Sequence, residues 1–291
     1  MCIPANSNQV VIAQNDMKKK ELLNASNEPL FVEDEQKQRK RENQLTLIGQ
    51  IFLGICIIAG WEILTRMGVL DPYYWSSPLT IFQTGAIAWT EGTLVQDLLY
   101  TSGATIFGFA AGTFAGALLG LSFWWSILYS KITEPYLVAF NAIPKLALAP
   151  VLVILFGIGF SSKVVLAFLM TVIVTAIAAY SGVKSVDKDL ENMLYSLGAK
   201  RRHVFTMIVV PSSMPWIVSS LKINIALALA GTIVGEFIAS RQGVGRMILY
   251  AGQIMNIDLV WVGVIALSIL SILMYLGTVW LERWLLKGMR Q

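Results

Sequence analysis

Between Lys163 and Lys184 the chain reads VVLAFLMTVIVTAIAAYSGV, from Val164 to Val183, twenty residues without a charge. A helical residue adds about 1.5 Å of rise, so about 20 apolar residues are needed to cross the hydrocarbon of a bilayer. The run does not alternate in polarity as a barrel strand would, and in lipid its backbone must satisfy its own hydrogen bonds. A transmembrane helix meets both conditions. Working outward, comparable apolar stretches occupy Leu47 to Leu64, an interval inside Leu98 to Ser130, Tyr136 to Phe160, Met214 to Ser240, and Leu259 to Leu281. The predicted fold class is therefore an all-α integral membrane protein with six transmembrane helices, filling residues 45–291.

Composition agrees. Hydrophobic residues make up 56% and charged residues 14% of the chain, against about 45–50% and about 25% in soluble domains. Cys2 and Cys56 are too few and too far apart for a disulfide framework or a metal cluster. The net charge of +4 reflects basic residues beside the spans and points to no nucleic acid. Residues 1–44 are polar and charge-rich and are expected to form a disordered cytoplasmic tail, because they bury too little apolar surface to offset ordering entropy. They lack the apolar stretch and small-residue site of a cleavable signal peptide.

Basic residues in short loops resist translocation, which orients the spans. With the N-terminal tail inside, Lys131, Lys184, Lys188, Lys200, Arg201, Arg202, Arg283, Lys287 and Arg290 also fall inside, and only Arg66, Lys163, Arg241 and Arg246 fall outside. Both termini are expected in the cytoplasm. Of the outer segments, Asp71 to Trp75 suits the membrane interface and Pro78 to Trp89 suits a surface helix. Gly243-Val244-Gly245 reads as a turn into a short helix; a potassium filter would need flanking Thr and Tyr-Gly that are missing.

The loop at 184–211 carries the clearest mechanistic signal. Leu190, Met193, Leu194 and Leu197 lie at i, i+3, i+4 and i+7, one apolar face of a helix. Asp187 can cap its start and Gly198 can end it in the left-handed conformation. Lys200-Arg201-Arg202 follow, and a second short helix is expected to stop at Pro211. A basic amphipathic helix of this kind suits the inner leaflet or a groove on a protein partner, and physics alone leaves both open.

Three other features bear on mechanism. Gly108, Gly112, Gly116 and Gly120 form a smooth stripe for close helix packing, either within one subunit or at a moving seam or dimer contact. Lys145 lies between Pro144 and Pro150; inside hydrocarbon it would cost about 2.5–3.5 kcal/mol, so it faces water or protein. It either attracts an anion or bonds a neighbouring carbonyl. Lys222, Glu236 and Glu62 sit near span ends, within reach of an interface.

The stretch Asn192-Met193-Leu194, three residues, Gly198-Ala199, and Ile208-Val209-Val210-Pro211 resembles the importer-permease loop with the pattern Glu-Ala-Ala, three residues, Gly, nine residues, Ile-x-Leu-Pro. Ile143 to Pro150, Phe156 to Gly159, Ser162-Lys163, Ser77-Pro78 and Gly235-Glu236-Phe237 are similar to motifs of the nitrate, sulfonate and taurine branch of binding-protein-dependent ABC transporter permeases. Two departures stand out: Asn192 replaces Glu, with Glu191 one position early, and Thr105 stands where relatives often carry Arg.

The resemblance implies a type I ABC importer permease in a bacterial-type cytoplasmic (inner) membrane. It implies two ATP-binding subunits on the loop, a second permease copy, an extracytoplasmic solute-binding protein and surrounding lipid. No cofactor is expected in this chain; ATP and Mg act through the ATPase subunits. The implied cargo is a small anion such as a sulfonate, taurine or nitrate, or alternatively a thiamine-pyrimidine or riboflavin type vitamin precursor. An intramembrane enzyme would need convergent ligands or a nucleophile with its base, yet the sole histidine, His203, lies in the basic loop. An ion-coupled carrier would commonly carry acids at mid-span, and here they sit at span ends.

Overall fold

A computed structural model describes residues 42 and 45–287. The expected disordered tail over 1–44 lies, but for residue 42, outside the described residues.

The chain divides into two units, Met1–Val69 and Leu70–Gln291. The first contributes helix α1, Leu45–Arg66, a candidate span whose Glu62 and Arg66 form an i,i+4 ion pair at 2.6 Å. Glu62 is thus paired along its own helix.

The second unit begins with α2, Pro72–Trp75, and α3, Pro78–Thr90. Ser77 caps α3 reciprocally: its hydroxyl accepts from Thr80 N at 3.3 Å while Thr80 Oγ1 accepts from Ser77 N at 3.2 Å. Long helices follow: α4, Thr93–Ser122; α7, Phe160–Lys184; α10, Val210–Ile238; and α12, Ile257–Lys287. The shorter ones are α5, Ile127–Ala142; α6, Ala149–Phe156; α8, Lys188–Ser196; α9, Arg201–Val204; and α11, Val244–Gln253. Five helices of the described residues are long and apolar enough to cross a membrane, and the α5–α6 pair makes a sixth if it is one broken span.

That pair is the form the expected third span, Tyr136 to Phe160, takes: it is broken. The helix starts at Ile127, stops at Ala142 and turns by 77° before continuing through a 3₁₀ turn at Lys145–Leu148 into α6. Pro144 is the cause: it disfavours helix at Ile143, whose ψ is 132, and removes a backbone donor.

The centre of this unit is α4 against α7 against α10. A Cβ built on Gly108 would stand 2.7 Å from the Val164 carbonyl oxygen, and one on Gly112 2.8 Å from that of Phe168. At Gly116 and Gly120 it would meet Thr175 Cβ at 2.7 Å and Ala179 Cβ at 2.5 Å. The facing residues Ala167, Thr171, Thr175 and Ala179 are themselves small and four apart, so the two backbones touch directly. On the other side Gly182 packs on Ser213, and Asn224 of α10 donates to Thr175 Oγ1 at 2.7 Å. Lys222 of α10, placed by the sequence within reach of an interface, pairs with Glu282 of α12 at 2.6 Å.

The helix beyond Lys200 does not stop at Pro211. It continues through a π-helical turn at Phe205–Val209 into α10, with Val210 N donating to Phe205 O. The wider turn restarts the hydrogen-bond register, so Pro211 falls in the first turn of α10, where its missing N–H is not needed.

Candidate functional site

Helix α8 stands at one end of the bundle. Asp187 caps its start by accepting from Asp189 N at 2.8 Å. Its end closes in a Schellman motif: Ala199 N donates to Leu194 O at 3.0 Å, Gly198 N donates to Tyr195 O at 3.0 Å, and Gly198 takes φ +82. Both ends are therefore set by local sequence.

What this short helix displays is unusual for an aqueous surface. Leu190, Met193 and Leu197 are 45%, 52% and 75% exposed, while Leu194 and Ala199 are half-buried and Asn192 is exposed. Downstream, Ile208 is half-buried and Pro211 exposed. An apolar row at helical spacing, rimmed by Lys188, Asp189 and Lys200, has the form of a groove-docking surface.

Glu191 takes no part in that row. Its carboxylate accepts from Trp124 Nε1 at 3.0 Å, in the turn after α4. The acid that stands one position early in the loop pattern is thereby engaged within the chain.

The bend between α5 and α6 holds Pro144, Lys145 and Pro150 together. Lys145 is half-buried, and its ammonium donates to the Asn141 carbonyl at 3.2 Å and to Asn141 Oδ1 at 3.3 Å. Pro150 lies in the first turn of α6 and is exposed. Backbone at this bend leaves the helical hydrogen-bond ladder, which in a membrane is tolerated only against protein or a water-filled cavity.

At the α10–α11 end the structure assembles a polar group that sequence reasoning missed. Glu236 is 1% exposed, which corrects its reading as within reach of an interface, and Lys163, in the first turn of α7, is fully buried. Glu236 accepts from Thr101 Oγ1 at 2.8 Å and Gly245 N at 2.8 Å. Asp97 accepts from Gly243 N at 2.7 Å, and Lys163 donates to the Ala239 carbonyl and to Ser162 Oγ. Thr105 Oγ1 sits 3.1 Å from Thr232 Oγ1, a buried hydroxyl pair between α4 and α10. The available signal was the glycine turn itself: a Cβ on Gly245 would come within 2.9 Å of Glu236 Oε2, so glycine there marks close approach to the carboxylate.

Among the described residues no three His, Cys, Asp or Glu side chains converge as a metal site requires. What the described residues do bring together is an exposed apolar row on α8, a close glycine seam and a broken span.

Comparison with known proteins agrees with that inventory. Residues 108–291 match the family described as the binding-protein-dependent transport system inner membrane component. The formylaminopyrimidine transport permease protein ThiX of Halalkalibacterium halodurans is 34% identical over 206 residues, covering 71% of this chain and 81% of that protein. The taurine transport system permease protein TauC of Escherichia coli is 28% identical over 236 residues, covering 79% and 86%. A solved structure described as an amino acid ABC transporter with histidines shares the fold at a TM-score of 0.54 and 15% identity, over 69% of this chain and 95% of that one. With its long apolar helices, its bent span and its exposed loop helix, the chain belongs to the binding-protein-dependent ABC importer permeases, as a subunit of the inner membrane that leaves ATP hydrolysis to separate subunits.

Proposed function

We propose that this permease forms half of a translocation pathway, with a second copy forming the other half, and that residues 184–211 lie in the cytoplasm as its coupling loop. The exposed row Leu190, Met193 and Leu197 carries this reading. In it, α8 with Gly198 and Ala199 seats in a groove of an ATP-binding subunit, Ile208 and Pro211 support its base, and two such subunits close on ATP and Mg. The closure moves the spans as rigid bodies. An extracytoplasmic binding protein delivers solute to the opposite face.

The proposed cargo is a small anion of the sulfonate, taurine or nitrate kind, met near the bend by Lys145 with Pro144 and Pro150 shaping the local backbone. A second reading, a pyrimidine vitamin precursor, is favoured by the 34% identity to the formylaminopyrimidine permease. The experiment is reconstitution of the chain with its ATPase subunits and binding protein in proteoliposomes. Uptake is expected to need ATP and no ion gradient, and Gly198→Pro is expected to abolish it. Uptake driven by an ion gradient alone would refute the reading. Taurine or alkanesulfonate uptake with a raised transport KM in Lys145→Ala supports the anion; formylaminopyrimidine uptake with an unchanged KM supports the second reading.

A further inference from the structure

The helix that displays the docking row is tied to the bundle by more than its two chain connections. Trp124 and Trp125 form the 3₁₀ turn Phe123–Trp125 that ends α4. Trp124 Nε1 donates to Glu191 in the first turn of α8. The Arg201 guanidinium, at the start of α9, lies 5.2 Å from the Trp124 ring centre and 5.4 Å from that of Trp125, and donates to the Trp125 carbonyl. Phe205, in the π-helical turn, packs on both indoles at 5.5 and 5.4 Å. Four segments, the α4 end, α8, α9 and the π-helical turn, thus meet around one pair of indoles.

That pair is anchored in turn. Phe123, 2% exposed, packs with Leu137, Ala176 and Tyr180, and the glycine seam joins α4 to α7 backbone to backbone. The hydrogen bond from Trp124 to Glu191 is directional, and a cation over indole faces is stronger than a neutral surface contact. A push on α8 therefore has a direct route into the α4–α7 pair.

We propose that Trp124, Glu191 and Arg201 form a transmission joint, through which movement of α8 is passed to α4 and α7 during transport. This rests on the reading of α8 as the ATPase-docking element. The three are positioning residues: none needs to touch solute or nucleotide. Glu191 serves here as an internal acceptor, so what matters is its oxygen facing Trp124 rather than its charge.

The test uses the complete complex in nanodiscs and proteoliposomes, with solute uptake per ATP hydrolysed as the readout. Glu191→Ala and Trp124→Phe each remove the same hydrogen bond while keeping the helix or the ring. Each is expected to lower uptake per ATP about five- to tenfold, within the usual range of site-to-site coupling. The double variant is expected to be no worse than either single one, because both delete one interaction. Glu191→Gln keeps an acceptor oxygen and is expected to retain wild-type coupling, a rescue that mere loss of stability would not give. Wild-type uptake per ATP in Glu191→Ala and Trp124→Phe would overturn the joint, as would Glu191→Gln behaving like Glu191→Ala. Failure of the ATPase subunits to co-purify with the unsubstituted chain would overturn the docking reading instead.

Discussion

Glu236 and Lys163 are ionisable side chains with almost no exposed surface, and every oxygen or nitrogen they bring inside has a stated partner: Thr101 and Gly245 for the acid, Ala239 and Ser162 for the base. Removing the acid would leave a hydroxyl and a backbone N–H without acceptors in a dry site, at a cost of about 1–3 kcal/mol. Glu236→Ala is therefore expected to lower the thermal unfolding midpoint of the detergent-solubilised protein, with Glu236→Gln in between because it keeps one acceptor oxygen. An unaltered midpoint in the alanine variant would show that the network contributes no stability. These residues were not legible in the sequence as a group. Hydropathy places a charge along a span but says nothing of which face it occupies, and Asp97, Thr101, Lys163 and Glu236 come from three different helices.

At the level of elements, the seam between α4 and α7 was half legible. The four glycines from Gly108 to Gly120 announce a close approach, but their spacing names no partner; the matching row Ala167, Thr171, Thr175 and Ala179 supplies it. Gly112→Val is expected to force the Phe168 backbone away and cost about 1–3 kcal/mol, the range for overpacking a tight interface. The check is monodisperse yield and thermal midpoint in detergent, with Gly54→Ala in α1, where a Cβ meets nothing within 4 Å, as the control. Helix α8 was legible in full, since its cap, apolar period and glycine stop are all local in sequence. The third span was legible as a stretch but its bend only in part, because an apolar run hides a change of direction and Pro144 gives its place only when its effect on Ile143 is weighed. Pro211 misled in the other direction: proline ends a regular helix, but not one that has just passed through a wider turn.

For the whole molecule, the class was legible because long apolar runs leave few alternatives to a helical membrane protein, and cargo was not, because Lys145 with Pro144 and Pro150 names a charge and a bend but no particular solute. The orientation expected from lysine and arginine positions has a direct check. In a background with Cys2 and Cys56 replaced by Ser, a cysteine at Ser196 in α8 is expected to react with an impermeant maleimide only in inside-out vesicles. One at Gln253 in α11 is expected to react only in right-side-out vesicles. The reverse labelling would invert the topology and remove the ATPase-facing role of α8. The π-helical turn at Phe205–Val209 has a consequence of another kind, for the tolerance of the chain to changes in length. It behaves as one surplus residue absorbed between two helical segments, so α9 and α10 keep their mutual phase whether or not that residue is there. Deleting Thr206 is expected to leave an assembled transporter with a continuous α-helix. Deleting Val218, inside the regular part of α10, would rotate all that follows by about 100° and abolish assembly. A change of chain length is therefore expected to be tolerated at the first place and not at the second.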